Sequence, residues 1–197
     1  MGGIKYPHLH DVAHKIWEWC NKKQIWIFAE YIASKENPAD KESRITNIDT
    51  EWELAKFAFE AIILEFGIPE IDLFATKINK KCSKFCSWQR DPEALVINAF
   101  TLSWKKYFWY AFPPFSLIMK VLKKVKEDET TGIIIVPDWC SQPWYPIFLE
   151  MLIKPPLKFQ PHNQLLLSPC RKQIHPLSSK LALIAGLISG RNIKKKT

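Results

Sequence analysis

The chain has 197 residues, 47% of them apolar, with nine Trp and twelve Phe but only six Gly. That supplies enough apolar surface for one ordinary domain or two small ones. No apolar run of about eighteen residues and no signal-peptide pattern occurs, so a soluble cytoplasmic or nuclear protein without a membrane partner is expected. The formal net charge of +8 is unevenly placed: residues 1–150 hold 19 Lys and Arg against 20 Asp and Glu, whereas residues 151–197 hold nine and none.

In chain order, His10–Cys20 places Val12, Ala13, Ile16, Trp17 and Cys20 at three- and four-residue steps, which predicts one face of a helix. Gln24–Ala33 alternates Ile25, Ile27, Ala29 and Tyr31 with further bulky residues, as a strand buried on both faces would. A turn follows at Ser34–Pro38, and a domain boundary is expected near Asn47–Thr50. Thr50 and Glu53 have capping-box spacing, which predicts a helix from there through Phe66 to a stop at Gly67. Strands are then expected at Ile71–Ala75, Lys84–Trp88, Tyr107–Phe112 and Gly132–Pro137, with helices at Ser116–Lys126 and Gln142–Ile153. Such alternation predicts an α/β fold with a mostly parallel sheet. Five prolines between Pro155 and Pro176 predict an extended linker, ending in one short helix at Ser179–Leu187. The expected organisation is therefore a segment over 1–46, an α/β domain over 48–154, and an irregular basic tail over 155–197.

Cys20, Cys82, Cys86, Cys140 and Cys170 form an odd set, which suits reduced thiols. Cys82 and Cys86 with His162, Cys170 and His175 lack the tight second pair of a zinc site. They read as small buried hydrophobes and surface histidines.

Glu30–Arg44 carries Asn37, Ala39, Asp40, Ser43 and Arg44 after a predicted strand and turn, in the pattern N-x-x-A-D-x-x-S-R. This resembles the end of the ribonuclease H domain of retroelement reverse transcriptases. The resemblance implies that Asp40 matches the last of four catalytic carboxylates, which together hold two Mg²⁺ ions about 4 Å apart. The family's other three acids lie upstream of the helix and strand seen here. Asp40 is therefore a Mg²⁺ ligand only in a complete domain, and ribonuclease activity is expected to be absent. Read by itself, Asp40 is a helix N-terminal charge worth a few tenths of a kcal/mol.

Two further motifs fall at predicted strand ends, where open α/β sheets bind ligands. They are Ile71-Asp72-Leu73-Phe74-Ala75 and Phe112-Pro113-Pro114-Phe115. The pair resembles phage-type DNA adenine methyltransferases, which place N-P-P-Y or D-P-P-Y in the second position. That resemblance implies a Rossmann-like domain, a possible S-adenosylmethionine site approached by Asp72 and Phe74, and a loop in which Pro113, Pro114 and Phe115 meet a flipped base. Phe112 departs from the pattern, because a phenyl ring cannot accept a hydrogen bond from an amine. No glycine follows Asp72 closely enough to form the cofactor turn. The alternative reading of F-P-P-F is an aromatic plug capping the sheet. After Ile133–Val136, Asp138 reads as a cap or solvated turn, and Trp139, Trp144 and Tyr145 read either as stacking platforms or as core.

The motif order, over about residues 10–190, resembles the polyproteins of DIRS-type retrotransposons. It implies DNA or RNA as partner, together with the upstream reverse transcriptase and ribonuclease H segment. In the tail, Arg171, Lys172, Arg191, Lys194, Lys195 and Lys196 are candidate phosphate contacts, or a solvated linker. Three functions follow. One is a nucleic-acid-binding accessory region of such a polyprotein that needs no cofactor in isolation. The second is an active S-adenosylmethionine-dependent DNA adenine methyltransferase, and the third is a decayed remnant.

Overall fold

The computed structural model describes residues 7–28, 52–168 and 174–191, and the chain divides into two compact units, Met1–Thr46 and Asn47–Thr197. The Asp40 motif, Thr50, and the basic residues Arg171, Lys172, Lys194, Lys195 and Lys196 lie outside the described residues.

In the first unit, helix α1 spans Pro7–Lys22, close to the expected range. It ends in a turn where Gln24 takes a positive φ of 53° and Ile25 N–H donates to the Cys20 carbonyl at 2.9 Å. Cys20 is buried, but Val12, Ile16 and Trp17 are exposed. Residues 25–28 form no strand, and Trp26 and Phe28 are open to solvent, contrary to the expectation of a doubly buried strand. A strand needs a hydrogen-bonding partner, and none lies among the described residues of this unit. The remainder of that predicted strand, 29–33, is outside them.

The second unit is built around a seven-stranded sheet. In chain order its elements are β1 (Glu53–Leu54), α2 (Lys56–Phe66), β2 (Ile71–Asp72), β3 (Lys84–Ser87), β4 (Val96–Ile97) and β5 (Trp109–Ala111). There follow α3 (Ile118–Glu127), β6 (Thr131–Pro137), α4 (Trp144–Met151), β7 (Leu157–Phe159), β8 (Leu166–Leu167) and β9 (Leu183–Ser189). The sheet order is β4-β3-β2-β5-β6-β9-β7, parallel from β4 to β6, with β9 antiparallel to both of its neighbours. The fold is thus α/β with a mostly parallel sheet.

Two expectations are corrected here. Glu53 does not cap a helix: it lies in β1, opposite Leu167, and its carboxylate meets Lys81 at 3.3 Å, with both side chains largely covered. Helix α2 therefore starts only after Ala55, whose side chain makes no capping bond. Nor is 155–197 an irregular tail, since β7, β8 and β9 arise from it and β9 is an interior strand. Leu181–Ile188 is a short, almost fully apolar run, and pairing on both edges makes it a strand rather than the helix expected at Ser179–Leu187.

Side-chain alternation along β6 explains the layering. Ile134 and Val136 point to one core with Val121, Leu122 and Val125 of α3 and Phe148 of α4. Ile133 and Ile135 point to the other, with Ala58, Ile62 and Phe66 of α2. A parallel sheet covered on both faces needs continuous apolar strands, which is the composition found. Trp104 and Trp109 are fully buried with ring centroids 5.5 Å apart. Their polar atoms are satisfied: the Trp109 indole donates to Thr130 Oγ1 at 3.2 Å, that hydroxyl donates to the Trp104 carbonyl at 3.1 Å, and the Trp104 indole donates to the Ala99 carbonyl at 2.8 Å.

Tyr110 is the exception. Its hydroxyl is buried on the α2 side with no hydrogen-bond partner among the described residues. Removing an unsatisfied buried hydroxyl removes a desolvation penalty. Tyr110→Phe should therefore raise stability by about 1 kcal/mol, and a urea midpoint lower than wild type would refute it.

Candidate functional site

Reading outward from β2, the strand order runs to β3 and β4 on one side and to β5 and β6 on the other. The crevice where order reverses is the expected ligand position in such sheets. A cleft of about 560 Å³ lies there, formed by the segments leaving the carboxyl ends of β2, β3, β4 and β5. Its size suits a small organic ligand.

The β2 segment is anchored by Asp72. This carboxylate is buried, accepting the Phe74 N–H at 3.2 Å on one oxygen and the Lys81 N–H at 3.0 Å on the other. Burial pushes its pKa up to about 6, against the pull of those two backbone amides and of the Lys81 charge. Asp72 thus fastens both ends of the 73–81 loop and does not itself line the cleft. Phe74 does line it, with its ring edge-on to Phe100 at 5.7 Å.

From β5 come Phe112, Pro113, Pro114 and Phe115, all of which line the cleft. Pro113 is buried and Pro114 exposed, and the Pro114 carbonyl accepts Leu117 N–H at 2.8 Å to start the turn into α3. Phe115 also packs edge-on against Trp139 at 5.1 Å. The loop therefore both caps the sheet and walls the cleft, so its two readings are not exclusive. Trp144 and Tyr145 belong to the core. The Tyr145 hydroxyl donates to Asp138 at 2.7 Å, and this bond holds the Asp138 carboxyl below its usual range. Asp138 also pairs with Lys158 at 3.2 Å.

Several lining residues belong to no sequence motif. Trp88, at the end of the β3 run, is largely exposed. Asn98 holds a positive φ of 68° and accepts Phe100 N–H at 3.1 Å. Asn79 accepts Thr76 N–H at 2.7 Å. His175, expected at the surface, is half-buried, lines the cleft and meets Trp52 edge-on at 4.7 Å. Desolvation holds its imidazole below the ordinary value. In the sequence, Trp88 was legible as an aromatic at a strand's carboxyl end; Asn98 and His175 depend on tertiary placement.

No aspartate, glutamate or glycine lines the cleft among the described residues. An acid for the ribose and a glycine turn for the carboxylate end are what S-adenosylmethionine demands, and Asp72 has both oxygens on backbone amides. The residues present do not fit that cofactor. Burial pushes the Cys82 and Cys86 thiols up to about 12, and no group of three metal-ligating side chains occurs among the described residues. Arg191 is remote from the cleft. It follows β9 at the end paired with the start of β6, and its Nε donates to the Glu129 carbonyl at 3.2 Å.

In comparisons with known proteins, no family model matches the chain and no curated protein matches it. No helix among the described residues is long and apolar enough to cross a membrane.

Proposed function

We propose that this chain is a nucleic-acid-binding accessory region of a retroelement polyprotein, without catalysis of its own. The observation that carries the reading is the cleft: aromatic faces at the switch point of a parallel sheet, with no carboxylate among its described lining residues. Trp88, Phe112 and Phe115 offer flat faces of the kind on which unpaired bases stack. Phe112 replaces the group that would accept an adenine amine, so binding without transfer is the chemistry these residues support. The excess of Lys and Arg after residue 150 supplies attraction for a phosphate chain.

A short fluorescent single-stranded oligonucleotide should bind, with affinity falling steeply between roughly 50 and 200 mM salt. Trp88→Ala should weaken binding by about ten-fold at fixed salt, since stacking one base contributes about 1–3 kcal/mol. Anisotropy titrations measure both. Affinity that ignores both salt and the substitution would sink the proposal.

The alternative implied by the F-P-P-F resemblance, an active DNA adenine methyltransferase, requires S-adenosylmethionine, which the described lining of the cleft does not fit. Under it, millimolar S-adenosylmethionine must raise the Tm, because a ligand bound only by the folded state stabilises it. An unchanged Tm removes this reading.

A further inference from the structure

Four of the cleft's polar side chains, Asn79, Ser87, Asn98 and His175, each have an acceptor atom engaged by the protein's own backbone. Asn79 Oδ1 accepts both the N–H and the hydroxyl of Thr76, at 2.7 and 3.2 Å. Asn98 Oδ1 accepts Phe100 N–H. An atom that accepts a backbone N–H must be the amide oxygen, which fixes the orientation of both amides and leaves each NH₂ group to donate to a ligand. His175 Nδ1 accepts Leu177 N–H at 3.1 Å, which fixes the neutral tautomer with its proton on Nε2. Ser87 Oγ accepts Gln89 N–H at 3.2 Å.

Five backbone carbonyls of the lining are engaged in the same way. The carbonyls of Thr76, Ser87, Asn98, Ala99 and Pro114 receive the N–H groups of Lys80, Asn98, Thr101, Leu102 and Leu117. With no carboxylate among the described lining residues and phenyl rings at Phe112 and Phe115, these groups offer a ligand donors and flat apolar faces.

Resting on the nucleic-acid reading above, we propose that this cleft reads the edge of an unstacked base with donors, and so selects keto-bearing bases over amine-bearing ones. An oxo group or ring nitrogen finds an Asn79, Asn98 or His175 N–H. An exocyclic amine placed at the same point faces other donors and loses its hydrogen bonds to water without replacement. That selectivity is the reverse of what an adenine-modifying pocket would need.

The test uses the full chain and two single-stranded oligonucleotides, identical except that hypoxanthine replaces every adenine. The exchange turns the C6 amine into an oxo group and puts a proton on N1, while keeping the fused purine ring and its N3 and N7 acceptors. The hypoxanthine strand should bind about ten-fold tighter at fixed salt, the effect of roughly one hydrogen bond. Asn98→Asp retains the oxygen that accepts Phe100 N–H, and aspartate tolerates the same positive φ, but it converts the donor into an acceptor. This variant, checked for an unaltered circular dichroism spectrum, should lose or reverse the preference. Equal, salt-sensitive binding of both strands by the wild type overturns the inference and leaves nucleic-acid binding standing. A preference untouched by Asn98→Asp overturns the donor-edge assignment. Binding of neither strand sinks both proposals.

Discussion

Gly132→Ala should destabilise the second unit by about 3 kcal/mol, at the upper end of what overpacking costs. A Cβ at this position would stand 2.2–2.6 Å from three carbons of the Trp109 ring. The ring has nowhere to go. It is fully buried, it lies against Trp104, and its indole nitrogen is held by Thr130. Moving it would also break the hydrogen bond that links β5 to the segment entering β6. Gly67→Ala has a different cause: Gly67 has φ +97° and ψ 169° but its nearest obstacle is 3.7 Å away, so only the backbone cost of about 1–3 kcal/mol applies. Denaturant midpoints measure both variants. A Gly132→Ala midpoint equal to that of wild type would mean that Trp109 does not occupy this position.

Stability should fall as pH rises from about 4 to about 6, and Asp72 should be a principal cause. Its folded-state pKa, about 6, lies above the ordinary value of 3.8 because burial penalises the charged form. The folded state therefore holds a proton that the unfolded chain has released in this window, and the derivative of stability with pH is negative there. The Asp72 contribution is complete below about 3.8 and is lost as pH passes 6. A shift of this size corresponds to about 3 kcal/mol. Asp72→Asn cannot titrate, so the stability difference between wild type and variant should shrink by about that amount across the window. Parallel difference curves from urea unfolding at pH 4, 5, 6 and 7 would contradict the assignment. Because the same carboxylate holds both ends of the 73–81 loop, the cleft wall carrying Phe74 and Asn79 should loosen in the variant.

How much was legible in the sequence depended on which interactions decide each element. β2, β3, β5 and β6 are short runs of apolar residues between turn signals, and α3 and α4 carry helical spacing, so all six were readable locally. The Pro-Pro loop landed at the cleft because a strand's carboxyl end is set by the strand itself. β9 is ambiguous in sequence because its Leu, Ile, Ala and Gly suit a short buried helix as well as a strand, and only pairing with β6 and β7 decides. The false capping box had a different origin. Glu53 had the right spacing for a backbone amide, but Lys81, 28 positions along the chain, supplied a better partner in a covered site. The donors at Asn98 and His175 were illegible for a third reason: their chemistry depends on which of their own atoms the neighbouring backbone occupies.

The insertion of β9 between β6 and β7 has a consequence for biosynthesis. On the ribosome, six of the seven sheet strands emerge before the one that must lie between two of them. Until residue 189 has left the exit tunnel, β6 presents an open flank of isoleucines and valine. Nascent chains in that condition depend on chaperones or slow late pairing to escape clumping.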